Sequence, residues 1–222
     1  MTDRGLTIEI YSDVVCPWCY IGKRRLECAL VQLNGAAPAR ITWRPFQLNP
    51  TMPKDGMDRT TYLAAKFGSR DAFRQMEEHV LAAGAAECIP FAFEKVARTP
   101  NTFLAHRLIW HAEQQGCQDA VMESLFRGYF TEGADIGSVP VLGQLAGRAG
   151  LDAADVESFL QREEGTTEVK VEEAAGHRIG IRGVPYFFLN GSISISGAQP
   201  HDIFVSALRQ AEESVMEREE GT

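Results

Sequence analysis

The sequence lacks several features that would place it outside the class of ordinary globular proteins. No run of apolar residues approaches the ~20 that a membrane-spanning helix needs, and no apolar signal core follows Met1. Acidic residues outnumber basic ones by 30 to 22, and the formal net charge of −8 does not favour nucleic acid or anionic lipid as a partner. The 5 cysteines are odd in number and irregularly spaced, unlike the disulfide framework of a secreted protein. These absences predict a cytoplasmic protein with no nucleic-acid or membrane partner.

What the chain does contain is enough apolar material for a core. Its 222 residues suit one large domain or two small ones, and 45% of them are hydrophobic.

The most informative segment is the motif Cys16-Pro17-Trp18-Cys19, which follows an alternating apolar stretch and precedes a helical one. A helix start presents unpaired backbone N–H groups and a partial positive charge, which stabilise a thiolate. A cysteine with a pKa of about 8.5 is only about 3% thiolate at neutral pH, whereas a pKa of about 6 gives about 90%. We therefore expect Cys16 to be a nucleophile, with Cys19 one turn deeper and able to displace whatever Cys16 has bound. Pro17 suits a first helical turn, where no N–H is needed.

Two other readings of this motif stay open. The pair could be half of a zinc site, but structural zinc needs four ligands and no second Cys-x-x-Cys or His-x-x-x-His pair exists in the sequence. The pair could also be inert, since free cysteines are often simply core residues. Thiol–disulfide exchange is the interpretation that the motif favours.

The first fifty residues predict a β-α-β unit with parallel strands. A strand is expected at Leu6–Tyr11, because polarity alternates there, and a second at Arg40–Phe46. Apolar residues recur at helical spacing from Pro17 to about Leu33, and Asn34-Gly35 is a helix-ending signal.

The middle of the chain, from about Asp58 to Glu164, predicts five or six helices and no strand. One helical run contains Leu63, Phe67 and Phe73. Three residues are predicted helix N-caps: Asp119, Ser138 and Asp152.

The β pattern returns near the C-terminus. A helix is expected from about Thr167 to Ile179, followed by strands at Gly183–Leu189 and Ser192–Ser196. Asn190-Gly191 between the two strands is a strong hairpin signal. An amphipathic helix from Pro200 to about Met216 closes the fold, and the charged tail after it is expected to be solvated.

This order of elements is that of a thioredoxin fold interrupted after its first half. The chain resembles the DsbA-like thioredoxin superfamily, specifically its FrnE branch, over nearly its whole length. The resemblance implies an α/β, thioredoxin-like fold with an inserted all-helical subdomain, with residues 1–55 and 166–222 forming the first unit and residues 56–165 the second. The segments that carry it are Asp13–Lys23, Arg44–Phe46, Asn101–Arg107, Gly183–Pro185 and Ser196–Gln199.

The resemblance also implies roles for residues around the cysteine pair. Pro185 matches a cis-proline that packs beside the pair and exposes the backbone of Val184 to an extended substrate. Trp18 is expected to be half exposed between the two cysteines. The predicted site therefore has Cys16 and Cys19 as catalytic residues, and the following substrate-binding residues: Pro17, Trp18, Val184 and Pro185.

The chain departs from related proteins at two positions. Trp18 stands where oxidising relatives usually have histidine, which leaves the oxidising strength open. Ile10 stands where thioredoxin-like proteins often keep a buried acid, and Glu9 and Asp13 are near that position but out of register.

Other residues near the motifs receive modest roles. The basic stretch Lys23–Arg25 is expected to form a solvated helix face; the alternative is that it favours an anionic thiol. Asn101 is expected to cap a helix, and His106 to be a core histidine with its hydrogen bonds satisfied.

The sequence does not assign a role to the three remaining cysteines. Cys28 is predicted to be half buried within the first helix. Cys88 and Cys117 are predicted to lie in loops, and a disulfide between them has no support in the sequence.

The sequence and the resemblance together predict a thiol–disulfide oxidoreductase acting on protein or small-molecule thiols and disulfides. No permanently bound cofactor and no metal are expected; glutathione is a candidate redox partner, and a homodimer is common in the superfamily. The first alternative is a glutathione-dependent transferase or isomerase of the kappa-class and 2-hydroxychromene-2-carboxylate isomerase type, which usually carries serine in place of Cys16. The second is a module that binds unfolded chains through its helical insertion.

Overall fold

The computed structural model describes residues 5–33, 39–68 and 70–220. The strands are β1 (Thr7–Ser12), β2 (Arg40–Pro45), β3 (Met57–Asp58), β4 (Arg98–Thr99), β5 (Tyr186–Leu189) and β6 (Ile193–Ser196). The helices are α1 (Pro17–Gln32), α2 (Arg59–Phe67), α3 (Arg70–Ala86), α4 (Phe103–Gln114), α5 (Gln118–Glu132), α6 (Val139–Arg148), α7 (Ala153–Gln161), α8 (Thr166–Arg178) and α9 (His201–Glu220), with a 3₁₀ turn at Phe93–Lys95.

A four-stranded sheet with the order β2-β1-β5-β6 forms the centre of the fold. β1 and β2 are parallel, whereas β5 runs antiparallel to both β1 and β6. The β5–β6 hairpin turns at Asn190 and Gly191, the central residues of a turn that the Ser192 N–H closes by donating to the Leu189 carbonyl at 3.1 Å. Their φ angles of 50° and 66° are the left-handed values that Asn-Gly favours in hairpin turns. The predicted β-α-β unit and the predicted hairpin are both confirmed.

The two faces of the sheet are covered by different helices. Ile8 and Ile10 of β1 are fully buried in the cluster that also contains Phe187 of β5 and Phe204 of α9. The rings of Phe187 and Phe204 meet edge to face, with centroids 4.9 Å apart. Tyr11 points to the other face, where it packs with Phe46 and Ile181.

The inserted helices extend the core rather than forming a separate one. Buried side chains of α4, α5, α6 and α7 belong to the same apolar cluster as those of the sheet. Gln118 of α5 also clamps the backbone of Trp43 in β2: its Oε1 accepts from the Trp43 N–H at 2.8 Å and its Nε2 donates to the Trp43 carbonyl at 3.0 Å. The fold is α/β and thioredoxin-like, with a helical insertion between its strands.

The structure corrects the sequence prediction at several points in the insertion. β3 and β4 pair with each other, although no strand was expected there. Leu63 and Phe67 lie in α2 and Phe73 in α3, because Gly68 ends α2 with a φ of 70°. The chain therefore breaks where one continuous helix was predicted.

The predicted N-caps have mixed outcomes. Asp152 caps α7 through a hydrogen bond from the Asp155 N–H to its side chain at 3.0 Å. Ser138 precedes α6 as predicted, but its side chain makes no capping bond. The N-cap of α5 is Cys117, so the prediction of Asp119 was wrong.

Two predicted helix ends also differ or fall outside the structure. α9 continues to Glu220, beyond the predicted end near Met216, and the helix-ending signal at Asn34-Gly35 lies outside the described residues. Among the helices of the described ranges, none combines the length and the apolar character that crossing a bilayer requires.

Candidate active site

Cys16 lies at the junction between β1 and α1. Its N–H donates to the Asp13 carbonyl at 3.0 Å in the turn that links the two elements. Cys16 is the N-cap residue of α1, with extended backbone angles, and Pro17 is the first helical residue. The Cys16 side chain makes no capping hydrogen bond. Its sulfur therefore sits at the positive end of the helix and is not committed to the backbone of α1.

Cys19 occupies a very different environment one turn further along α1. It is completely buried, and its N–H donates to the Cys16 carbonyl at 3.0 Å. Burial raises the pKa of the Cys19 thiol well above its usual range, and the neighbouring Cys16 thiol raises it further; the nearby Ser12 side chain and Asp13 backbone lower the pKa, but by less. Cys19 is therefore a protonated thiol at neutral pH.

The loop before β5 lies directly against the cysteine pair. The Val184–Pro185 peptide bond is cis, as the resemblance implied, and Cys16 Sγ lies 3.5 Å from the Val184 carbonyl oxygen. Gly22 of α1 permits this packing, since a Cβ at that position would lie 3.0 Å from Cζ of Phe187 and 3.1 Å from Cγ of Pro185. The structure thus brings Cys16, Val184 and Pro185 together around one side of the motif.

A cleft of about 190 Å³ opens on Cys16 from the direction of the inserted helices. Pro17 and Trp18 line its inner wall beside Cys16, and Trp18 is half-buried as expected, with its ring 5.4 Å from that of His79. The rest of the lining is largely apolar and comes from the insertion; it includes Tyr62, Leu63, Phe67, Met76, Val80 and Phe130. The motif gave no sign of these residues, because they lie on α2, α3 and α5, far from it in sequence.

Polar side chains at the cleft link α2 to the segment that follows β2. The Tyr62 hydroxyl donates to Asn49 Oδ1 at 2.9 Å, and Lys66 Nζ donates to the Tyr62 hydroxyl at 2.6 Å. Arg59 forms an ion pair with Glu77 at 3.2 Å. No residue of α2 is buried, so this helix is attached by its polar contacts and by half-buried apolar side chains.

Asp13 and His106 form a buried pair behind the motif. Asp13 Oδ2 accepts from the Leu48 N–H at 2.8 Å, while Asp13 Oδ1 lies 3.4 Å from His106 Nε2. Among the described residues, neither of these last two atoms has a hydrogen-bond partner. His106 is therefore a core histidine, as expected, but its Nε2 lacks the hydrogen bond that was expected. Asn101 does cap a helix, because its Oδ1 accepts from the Phe103 N–H at 3.0 Å.

Ile10, Glu9 and Asp13 lie in three different environments. Ile10 is buried in the core. Glu9 is nearly half exposed and accepts a hydrogen bond from Arg44 at 3.1 Å. Asp13 hydrogen-bonds to the cysteine motif, through its backbone carbonyl.

The basic stretch after the motif is not a solvated face, so that prediction was wrong. Lys23 is only 3% exposed, and Arg25 pairs with Glu87 at 2.7 Å while donating to the Ala198 carbonyl at 2.6 Å. Burial opposes the charge on Lys23, but nearby acids, Asp119 foremost, raise its pKa overall. The carboxylates around its ammonium group are Glu27, Asp119 and Glu123. The reason for the error is that two of these three acids come from α5, about a hundred positions away in sequence.

The other cysteines lie away from the cleft lining. Cys28 is exposed, which corrects the prediction that it is half buried. Cys88 is exposed in the turn after α3, with a φ of 57°, and Cys117 begins α5. All are free thiols, so the structure contains no disulfide between Cys88 and Cys117. In the described ranges, no group of three or more His, Cys, Asp or Glu side chains is arranged to hold a metal ion.

The sheet order, the Cys-x-x-Cys pair at the start of α1 and the adjacent cis-proline define a thioredoxin-like protein. The chain belongs to the DSBA-like thioredoxin domain family, whose model matches residues 7–209.

Individual proteins are similar to this chain over most of its length. A crystal structure of a probable DsbA oxidoreductase from Streptomyces coelicolor is 34% identical, with a TM-score of 0.85, over 93% of this chain and 89% of the other. The uncharacterised protein YwbO of Bacillus subtilis is 27% identical over 90% of this chain and 94% of its own length. A 2-hydroxychromene-2-carboxylate isomerase shares the fold, with a TM-score of 0.69 at 18% identity over 92% of this chain and 95% of the other.

Proposed function

We propose that this protein is a thiol–disulfide oxidoreductase of the FrnE type, in which Cys16 exchanges disulfides with substrate and Cys19 resolves the mixed disulfide. The observation that carries the proposal is the unequal environment of the two sulfurs. Cys16 is free of capping bonds at the helix start and faces the cleft, whereas Cys19 is fully buried with a raised pKa. Such an arrangement suits one attacking thiol and one resolving thiol.

The reducing direction proceeds in two exchanges. The Cys16 thiolate attacks one sulfur of a substrate disulfide, forms a mixed disulfide and releases the other substrate sulfur as thiolate. Cys19 then loses its proton and attacks the Cys16 sulfur, which forms the Cys16–Cys19 disulfide and releases the second substrate thiolate. Two electrons pass to the substrate in total. In the oxidising direction the same steps run backwards, and the reduction potential decides which direction prevails.

The surroundings of Cys16 support the proposed roles of the predicted substrate-binding residues. Pro17 and Trp18 line the cleft through which Cys16 is reached. The Val184 carbonyl lies 3.5 Å from the Cys16 sulfur, so a chain attached to that sulfur by a mixed disulfide would pass beside the Val184–Pro185 backbone. Glutathione is the proposed small-molecule redox partner, and the cytoplasm the proposed location.

The alternative function is a glutathione-dependent transferase or isomerase, which shares this fold. The presence of two adjacent thiols counts against it, because a non-redox reaction of bound glutathione has no use for a resolving cysteine. Catalysis that survives the loss of Cys19, with no change in the redox state of the protein, would favour this alternative.

The decisive test uses two variants of the motif and one control. We expect Cys16→Ser to abolish disulfide exchange and Cys19→Ser to accumulate a covalent mixed disulfide at Cys16, both detected by intact-protein mass spectrometry after reaction with oxidised glutathione. Cys28→Ser removes a thiol that is exposed and lies outside the cleft lining, and it should leave exchange unchanged. Full exchange activity in Cys16→Ser would refute the proposal.

A further inference from the structure

The cleft around Cys16 restricts which disulfides can reach it. The Cys16 side chain lies at the inner wall of the cleft, and the residue is only 5% exposed. α2 and α3 supply the opposite wall. An attacking thiolate approaches along the axis of the substrate S–S bond, so the attacked sulfur and the group it carries must enter the cleft, while the leaving sulfur and its group extend away from Cys16. A disulfide fixed in the surface of a folded protein cannot enter the cleft while α2 remains in place.

The size of the cleft limits the groups that fit. Pockets that hold drug-sized ligands measure about 300–1,000 Å³, whereas this cleft measures about 190 Å³. It therefore has room for one ring or one branched side chain next to the reacting sulfur. The side chains that would contact such a group are aromatic or aliphatic, chiefly Tyr62, Leu63, Phe67 and Met76, and these favour an apolar group, ideally an aromatic ring.

The charges at the cleft favour a negative substrate. Arg59 and Glu77 both line the cleft, but they neutralise each other through their ion pair. Lys66 also lines the cleft and is exposed; it bonds to the Tyr62 hydroxyl and has no carboxylate within ion-pair distance among the residues that the structure describes. Among the side chains that the structure describes, Lys66 thus adds a positive charge to the α2 wall that no carboxylate neutralises.

We propose that the cleft selects small disulfides that carry an apolar ring and a negative charge, and that it excludes disulfides held in folded proteins. This inference rests on the proposed exchange function, because it concerns which disulfides reach Cys16.

The test measures the rate constant for single-turnover oxidation of the pre-reduced protein by each of four disulfides. Thionitrobenzoate disulfide is aromatic and anionic, dithiodipyridine is aromatic and neutral, and hydroxyethyl disulfide is aliphatic and neutral. The fourth, insulin, is a folded protein. The disulfide itself accepts the two electrons, so no other reagent is needed. Because aromatic thiols are good leaving groups, each rate constant is divided by that of free glutathione thiol with the same disulfide. We expect this ratio to be largest for thionitrobenzoate disulfide and smallest for insulin.

The charge effect is isolated by matched lysine variants. Lys66→Met should lower the rate constant for thionitrobenzoate disulfide about threefold to fivefold, as the loss of one partly screened ion pair would, and should leave that for dithiodipyridine unchanged. The effect should shrink at high salt. Lys54→Met removes the same charge at an exposed position outside this cleft and should leave both rate constants unchanged.

Two results would overturn the inference. One is a ratio of rate constants, protein to free glutathione, that is as large for insulin as for the small aromatic disulfides. The other is Lys66→Met and Lys54→Met having equal effects on the anionic substrate. Either result would leave the proposed exchange function standing, whereas a failure of the wild-type protein to react with any of the four disulfides would remove the function itself.

Discussion

The two walls of the cleft are built in different ways. The inner wall, formed by the start of α1 and the loop before β5, consists of closely packed side chains: Gly22 has no room for a side chain, and Phe187 beside it is buried. The outer wall is formed by α2 and α3. None of the residues of α2 is buried, and this helix is attached in part by a hydrogen bond from Tyr62 to Asn49. The inner wall therefore holds the reacting sulfurs in place. In the proposal above, the outer wall determines which substrates reach them.

The inner wall should be the less tolerant of change, and overfilling it should have the largest effect on stability. Gly22→Val places methyl groups against the Phe187 ring and the Pro185 ring, which a Cβ alone would approach to 3.0 and 3.1 Å. We expect the free energy of unfolding to fall by about 1–3 kcal/mol, the usual cost of overpacking a core, and exchange to slow. Chemical denaturation and the single-turnover rate constant measure the two effects.

The matched control enlarges a residue on the outer wall. Ala65 of α2 is exposed, so Ala65→Val should change the free energy of unfolding by about 0.5 kcal/mol or less. Equal losses of unfolding free energy in Ala65→Val and Gly22→Val would show that the two walls tolerate a larger side chain equally well.

The second prediction concerns the buried sulfur held by the inner wall. Because the pKa of Cys19 is raised in the folded protein, the folded dithiol form keeps a proton that the unfolded chain releases above pH ~8.5. The contribution of Cys19 to the free energy of unfolding is therefore fully present below that pH. It is lost as the pH rises toward the folded-state pKa, by at most about 1.4 kcal/mol per pH unit. Thermal unfolding of the reduced protein in the range pH ~7.5 to ~9.5 should show this loss.

The comparison variant for this measurement is Cys19→Ser, which has no buried thiol to titrate. Its stability should fall less over the same pH range than that of the reduced wild type. The oxidised wild type, with Cys19 in a disulfide, should resemble the variant. Parallel pH profiles for all three proteins would contradict the account of Cys19.

The smallest effect is expected on the outer wall. Tyr62→Phe removes the hydroxyl that donates to Asn49 and accepts from Lys66. The cost should be about 0.5–1.5 kcal/mol, as for one ordinary hydrogen bond, and it should fall mainly on local opening of α2 rather than on global unfolding. Hydrogen exchange of α2 amides should speed up while that of β1 amides stays unchanged. Uniform acceleration in both elements would show that α2 does not open as a separate unit.

The elements of the inner wall could be predicted from sequence more completely than those of the outer wall. The strands, α1 and the hairpin could be predicted because their signals are local: Ile8 and Ile10 alternate with polar residues, and Asn190 and Gly191 favour positive φ by themselves. β3 and β4 could not be predicted, because two residues are too few to show an alternating pattern. The secondary structure could therefore be predicted from sequence wherever a few neighbouring residues determine the backbone conformation.

The site was only half predictable for a related reason. Cys16, Cys19 and the cis-proline stand in recognisable motifs. The burial of Lys23 depends on carboxylates of a distant helix, and the outer wall of the cleft depends on how α2 and α3 pack. These features arise from tertiary packing, which local pattern does not encode.

The most direct test of the central claim is equilibration of the purified protein in graded glutathione redox buffers, with Trp18 fluorescence and the mass of alkylated free thiols as readouts. The account predicts a single two-electron transition confined to Cys16 and Cys19, with Cys28, Cys88 and Cys117 outside it. The absence of such a transition, or one that involves other cysteines while Cys16 and Cys19 stay reduced, would contradict it.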